Sequence, residues 1–278
     1  MRNTNSPTVT IVVPAKNEAA NLRVVLPRLP PVHEVLLVDG DSVDDTINAA
    51  RETLPGIRVV RQTRKGKGNA LACGFLAATG DIIVMFDADG SADPAEIPAF
   101  VDALTRGADF AKGSRFVAGG GSEDITVVRR LGNAGLHVVA NIAFGTKFSD
   151  LCYGYNAFWR DLVPFLELPP VDLAPPPDGE MLWGDGFEIE TVLNCRMAAA
   201  DVTITEIPSV ELRRIHGESN LRTFADGARV LRTILAEHRR MQRTSPGGDG
   251  ADMLRLLPAP RTDLDLDWVP GAGLSESA

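Results

Sequence analysis

Asp87 and Asp89 stand two residues apart in the run IIVMFDADGSADP, directly after a stretch with the composition of a buried strand. Carboxylates so spaced can converge on one hard cation as the chain turns, and Mg²⁺ or Mn²⁺ takes such oxygen ligands while bridging to phosphates. An ion held there offsets the charge that builds on a departing diphosphate. Asp and Gly after a strand also make ordinary turns, so the pair gains weight only from its surroundings. In VLLVDGDSVDDT, Asp39 and Asp41 follow a second apolar run. A carboxylate at a strand end can accept hydrogen bonds from a nucleobase imide or a ribose. Ser42 or Asp44 is placed to cap the next helix, which leaves Asp39 unexplained. In RKGKGNAL, Gly66 and Gly68 admit close backbone approach, with Lys65 and Lys67 just ahead of a helix N-terminus. That suits an anionic ligand, or equally a solvated basic turn. No GxxxxGK[ST] loop is present.

The elements that must position these residues are legible in the first half of the chain. The runs VTIVVPA, EVLLVDG, IRVVRQ and DIIVMFDADG alternate with helical patterns that begin near Glu18, Asp44 and Asn69. Such alternation predicts an α/β fold, a mostly parallel twisted sheet with helices on both faces, in a single domain. Ligands of such sheets sit at the carboxyl ends of the strands, where residues 14–18, 39–42, 65–69 and 87–89 fall. Further on come a short strand near 110–113, a helical stretch over 127–144, a Pro-rich segment PPVDLAPPPDG, a helix near 188–199 and the strand DVTITEIP. A helix is expected over 223–243, where Thr223 and Asp226 resemble a capping box and Leu231, Ile234, Leu235 and His238 recur at helical spacing. Residues 244–278 show no sustained period and are expected to form a disordered tail.

Composition sets the outer bounds. With 278 residues, 44% hydrophobic and 23% charged, the chain can bury one sizeable core. No apolar stretch approaches the roughly 20 residues of a membrane span, and MRNTNSPT has no signal-peptide core, so a cytoplasmic protein with only peripheral membrane contact is expected. A net charge of −9 argues against general nucleic-acid binding. The charge is uneven: from Arg213 to Arg243 there are eight arginines against three acids. Cys73, Cys152 and Cys195 are scattered and odd in number, which suggests neither a disulfide framework nor a CxxC metal site.

In their order, VPAKNEAANL, VDGDSVDDT, KGKGNAL, FDADGSADP, KGSRFVAGGG, Arg129-Arg130, DLCYGY from Asp150, GFEIE, TEIP and RRIHGESNLR resemble glycosyltransferase family 2. The resemblance is nearest to its dolichol-phosphate mannose synthase-like branch and covers residues 8–225. It implies a GT-A fold, inversion at the sugar C1, a divalent cation (Mg²⁺ or Mn²⁺), and transfer of a hexose from GDP-mannose or UDP-glucose to a polyprenyl phosphate. On this resemblance residues 1–7 are an extension, 8–115 the nucleotide-sugar-binding half, and 116–222 the acceptor-side half. Pro14, Ala15, Asn17 and Glu18 match the nucleotide-contacting first loop, and Asp39 the base- or ribose-binding acid. Asp41, Lys67, Gly68 and Ala88 join the donor set, and Asp87 and Asp89 match the metal site. Arg115, Arg129, Arg130, Arg213 and Arg214, with Ser219 nearby, fall where the family places cations around donor and acceptor phosphates. Asp150 resembles the acid that faces the reacting sugar, with Glu188 behind it. The chain departs from the branch at Ala15 and Lys16, at VDGDS in place of VDDGS, and at Ser91 where a Gln ligand is usual; Ser91, water or Asp93 would then complete the metal shell.

The acceptor decides what the acids must do. A phosphate acceptor is already ionised near neutral pH and needs arginines to position it. A soluble hydroxyl acceptor, as in small glycoside biosynthesis, needs a carboxylate to take its proton, with Asp150 the first candidate. The basic helix 223–243 could meet an anionic membrane surface or pack on the core with a solvated arginine face. A sugar nucleotidyltransferase shares the sheet and the acids, but its GxGTRLxPxT loop is replaced by VPAKNE. A non-catalytic nucleotide-sugar-binding subunit is the remaining reading.

Overall fold

The computed structural model describes residues 2–217 and 223–244. Ser219 and all of the expected tail after Thr244 lie outside the described residues. The first half builds β1 (Val9–Ala15), α1 (Ala19–Val25), β2 (Glu34–Asp39), α2 (Thr46–Thr53), β3 (Arg58–Arg61), α3 (Lys67–Ala77), β4 (Ile82–Met85) and α4 (Ile97–Thr105). The second half builds β5 (Phe110–Ser114), β6 (Gly121–Ser122), α5 (Val127–Phe144), β7 (Asn156–Trp159), α6 (Ile189–Ala199), β8 (Ile204–Pro208), β9 (Val210–Glu211) and α7 (Thr223–Thr244).

Seven strands form one sheet in the order β3-β2-β1-β4-β7-β5-β8. Consecutive residues of β1, β2 and β4 are buried irrespective of which face they point to, so the sheet is covered on both sides. The register aligns Ala15 with Asp39 and Val12 with Met85, which brings the carboxyl ends of β1, β2 and β4 to one edge. β7 runs antiparallel to both β4 and β5 and makes the sheet mixed. Trp159 closes β7 in the core, its Nε1 donating to the Ala108 carbonyl at 3.1 Å.

The glycines of RKGKGNAL serve a structural end. A Cβ on Gly68 would lie 1.8 Å from the Gly184 carbonyl oxygen, and one on Gly66 2.0 Å from that of Asp185. The Pro-rich loop packs there, and the Asp185 carbonyl accepts from the Gly68 and Asn69 N–H groups at 2.8 and 3.2 Å. The start of α3 is thus capped by the protein's own chain, and Gly68 makes no open anion cradle. Arg64 fixes this docking with a bidentate pair to Asp185 at 2.7 and 2.9 Å, and donates to the Pro170 and Leu173 carbonyls at 2.8 and 3.1 Å. The same loop reaches α7 through Trp183, which donates to Glu237 at 2.8 Å, while Glu237 pairs with the buried Arg196 of α6 at 2.9 Å.

Both side chains of the Arg64–Asp185 pair are 1% exposed. Removing one partner strands the other charge, at a cost of about 3–5 kcal/mol. Arg64→Leu should therefore lower the unfolding free energy by about 3 kcal/mol in urea titration; an unchanged midpoint would show that the loop holds without the pair.

Candidate functional site

The first two strand-end loops clasp each other. Asn17, in left-handed backbone at φ +58°, donates its N–H to Ser42 Oγ at 3.0 Å and accepts from the Val43 N–H at 2.8 Å. Thr46 Oγ1 accepts from the Glu18 N–H at 2.8 Å. Asp44 accepts from the first N–H of two helices, Thr46 of α2 at 3.0 Å and Ala19 of α1 at 3.2 Å. Ser42 therefore binds the neighbouring loop instead of capping α2. Asp41 sits exposed at φ +61°, turned from the buried acid two residues before it.

Asp39 is 2% exposed; its Oδ2 accepts from the Ser42 N–H at 3.3 Å, and its Oδ1 is buried without a hydrogen-bond partner. Burying a carboxylate oxygen unpaired is costly, and such an atom calls for a donor from outside the chain. Pro14 and Ala15 end β1 beside it.

At the end of β4 the two acids are held differently. Lys67 Nζ lies 2.8 Å from Asp87 Oδ1 and 2.8 Å from Glu190 Oε1. Burial pulls the Lys67 ammonium down, but the charges of Asp87 and Glu190 outweigh it and hold the group above the usual lysine range. Asp89 is buried, accepts from the Ser91 N–H at 2.9 Å, and pairs with Arg214 at 3.0 Å. Burial raises the Glu18 carboxyl above its ordinary range; Asn21 opposes this with a hydrogen bond, and the charges of Asp89 and Asp87 add to it. Ala88 is buried between the two acids. Residues 212–215 lie along this turn: the Leu212 N–H donates to the Ser91 carbonyl at 2.9 Å and the Ile215 N–H to that of Asp89 at 3.1 Å.

GFEIE holds two acids, and Glu190, not the expected Glu188, is the one beside Lys67. Glu188 instead accepts from the Gly184 and Gly186 N–H groups at 2.9 and 3.2 Å and holds the Pro-rich loop. Glu190 follows two residues later on α6, and Gly154 leaves the space where it meets Lys67. The available signal was a second acid two positions on, which helical geometry turns to a different face.

Asp150 and Arg115 depart from their expected roles. Asp150 is fully buried and accepts from Arg115 Nε at 2.7 Å, Arg115 Nη2 at 3.0 Å, Asn133 Nδ2 at 3.3 Å and the Cys152 N–H at 3.2 Å. Arg115 also pairs with Glu211 at 3.0 Å and lies 5.0 Å from the Tyr153 ring centroid. An acid so saturated has no lone pair turned to an acceptor, and the guanidinium is spent on two carboxylates. Of the other cations, Arg130 stacks over Phe116 at 5.8 Å beside a pocket of about 200 Å³ lined by Phe116, Asn133, Ala134 and His137. Asn133 Oδ1 and His137 Nδ1 are buried there without partners. Arg129 is half-buried near the start of α5, and Arg213 is exposed beside Arg214.

Burial would raise the Asp150 carboxyl, but the hydrogen bonds and charge of Arg115 outweigh it and hold it below the usual range. The stabilisation it gives is therefore complete above the unfolded pKa of about 3.9 and is lost as pH falls through the lower folded value. Asp150→Asn should cost about 3 kcal/mol at pH 7, and the gap to wild type should begin to close below about pH 4 in urea titrations across pH. A gap constant with pH would refute the ion-pair account.

The profile of glycosyl transferase family 2 matches residues 10–164. The chain is 30% identical over 224 residues to the dolichol-phosphate mannosyltransferase of Pyrococcus furiosus, covering 77% of this chain but only 59% of that protein. It is 30% identical over 225 residues to the undecaprenyl-phosphate mannosyltransferase of Micrococcus luteus, covering 77% of this chain and 87% of the relative. In fold it is similar to glucosyl-3-phosphoglycerate synthase from Mycobacterium tuberculosis, solved with Mn²⁺, UDP and phosphoglyceric acid, at a TM-score of 0.64 and 24% identity over 84% of this chain and 80% of that one. The strand-end acids thus sit in a GT-A fold, and the chain belongs to glycosyl transferase family 2.

Proposed function

We propose that the protein transfers a hexose from a nucleoside-diphosphate sugar to a polyprenyl phosphate, with inversion at C1. The carrying observation is the unpartnered Asp39 oxygen beside a surplus of acid at the same sheet edge. Glu18, Asp87, Asp89 and Glu190 are four carboxylates against Lys67 and Arg214, an excess of two negative charges if all are ionised. One divalent cation matches that excess.

The donor set fits such an ion. Among the described residues no three His, Cys, Asp or Glu side chains converge to hold a metal alone. Mg²⁺ and Mn²⁺ sites at phosphates commonly take one or two carboxylates and complete their shell with phosphate and water oxygens. Asp87 and Asp89 would hold it, with Ser91 or water beside them, and the ion would supply charge neutralisation at the diphosphate. Asp39 would accept from the base or ribose, and Asn17 and Glu18 would shape that pocket. Lys67 and Arg214, each already beside an acid, would turn their remaining donors to phosphate oxygens.

On the acceptor side, Arg130 offers donors to a phosphate beside the pocket that His137 lines, His137 can donate through Nδ1, and Arg129 and Arg213 add positive charge. The saturation of Asp150 favours a phosphate acceptor, which attacks without losing a proton. The undecaprenyl-phosphate enzyme of M. luteus, aligned over most of its length, supports the same class. A hydroxyl acceptor would need a carboxylate outside the Asp87/Asp89 pair, such as Glu190 beside Lys67. No helix among the described residues is long and apolar enough to cross a membrane.

Incubation with Mn²⁺, labelled GDP-mannose or UDP-glucose, and polyprenyl phosphate should give solvent-extractable label, abolished by chelation. Label passing only to water-soluble hydroxyl compounds would overturn the lipid acceptor. Asp89→Asn should lower kcat about a hundredfold or more. Asp39→Asn should instead act on donor affinity, raising the Kd of the nucleoside diphosphate about tenfold or more by calorimetry; unchanged affinity would remove Asp39 from the donor site.

A further inference from the structure

Helix α5 is apolar on two sides. Leu136, Val139, Ala140, Ala143 and Phe144 pack inward with Ile234 of α7 and Cys195 of α6. Val127, Leu131, Val138 and Ile142 point away from that core and are 74%, 68%, 50% and 81% exposed. At 3.6 residues per turn these four lie within about 60° of one another and run for about 22 Å. A continuous apolar stripe is unlike the scattered exposed residues of a monomer's surface.

The spacing indicates what covers it. About a point between Ala134 and Gly135 the stripe is symmetric: Val127 mirrors Ile142, Leu131 mirrors Val138, and the two small residues mirror each other. A Cβ on Gly135 would have nothing within 4 Å, so the centre is open to close approach. An antiparallel copy of the same helix across a two-fold axis would set each large residue against its mirror, the self-complementarity of an isologous contact. The charges agree. Glu123 and Asp124 are exposed just before α5 and Lys147 is exposed just after it. The antiparallel arrangement brings Lys147 of each copy toward the acids of the other. A parallel pair would set acids on acids. We propose that the outer face of α5 is the contact of a two-fold homodimer.

Sedimentation equilibrium of the full chain at micromolar concentration and low salt should give twice the chain mass. Leu131→Lys and Val138→Lys, at exposed positions that leave the core intact, should each weaken self-association about tenfold or more, with an unchanged circular dichroism spectrum. Lys147→Glu should also weaken it, and adding Glu123→Lys and Asp124→Lys should restore it. In a Cys152→Ser background, Ala134→Cys should cross-link to itself on oxidation, and Val127→Cys should do so only in a parallel pair. A wild-type monomer throughout, or a dimer indifferent to Leu131→Lys, would overturn the proposal. So would a monomer that pellets with phosphatidylglycerol vesicles through Leu131, which would assign the face to a bilayer.

Discussion

Arg64 and Asp185 lie 121 residues apart in sequence and meet as a buried bidentate pair. Such a pair repays its desolvation only if the geometry is good and the remaining donors are used. Here the third guanidinium nitrogen donates to carbonyls of the Pro-rich loop, so that loop is fastened at Pro170 and Leu173 as well as at Asp185. The Asp185 carbonyl then caps α3, which begins at Lys67. Four residues after Asp185 begins α6, which carries Glu190. Lys67 and Glu190, which pair with each other beside Asp87, are therefore placed by the same fastening from two distant parts of the chain.

The site is assembled by cations satisfied with acids before any ligand arrives. Lys67 with Asp87 and Glu190, Arg214 with Asp89, and Arg115 with Asp150 and Glu211 differ mainly in what is left over. Arg115 is spent and its partner saturated, so the pair acts as a rivet between β5 and the loop before β7. Lys112, fully buried near Asp150 and Glu206 and held below the usual lysine range by its burial, lies beside that rivet. Lys67 and Arg214 are less enclosed, with side chains 17% and 34% exposed, and keep donors that can turn outward.

The strands and their polar ends were legible because continuous burial writes long β-branched runs into the sequence, and Asp39, Asp87 and Asp89 stand just where those runs stop. β7 was not, since Asn156–Trp159 is four residues long and its pairing with β4 and β5 is a matter of distant partners. α4 carries a helical signal of its own: Ile97, Phe100 and Leu104 recur at helical spacing and are its buried residues. Gly66 and Gly68 did mark a close approach, but the sequence cannot say by what. The neighbour is residues 184–185 of the same chain. Glu188 and Glu190 are chemically equal in GFEIE, and only the packing of α6 divides them into a loop cap and a cleft acid.

That division bears on how the chemistry is apportioned. A carboxylate can fasten the fold or face a reactant, and the number of hydrogen bonds it already accepts tells which. Asp150 accepts from five N–H donors and Glu188 from two backbone N–H groups. Asp39 has one oxygen bonded and the other buried and empty. Asp87 and Asp89 are each balanced by a single movable cation. The acids with unspent capacity are thus the ones at the ends of β2 and β4, at the edge where a doubly covered sheet receives its ligands. Asp150 and Glu188, which the family resemblance sets beside the reacting sugar, are separated from the strand-end acids by the bonds they already accept.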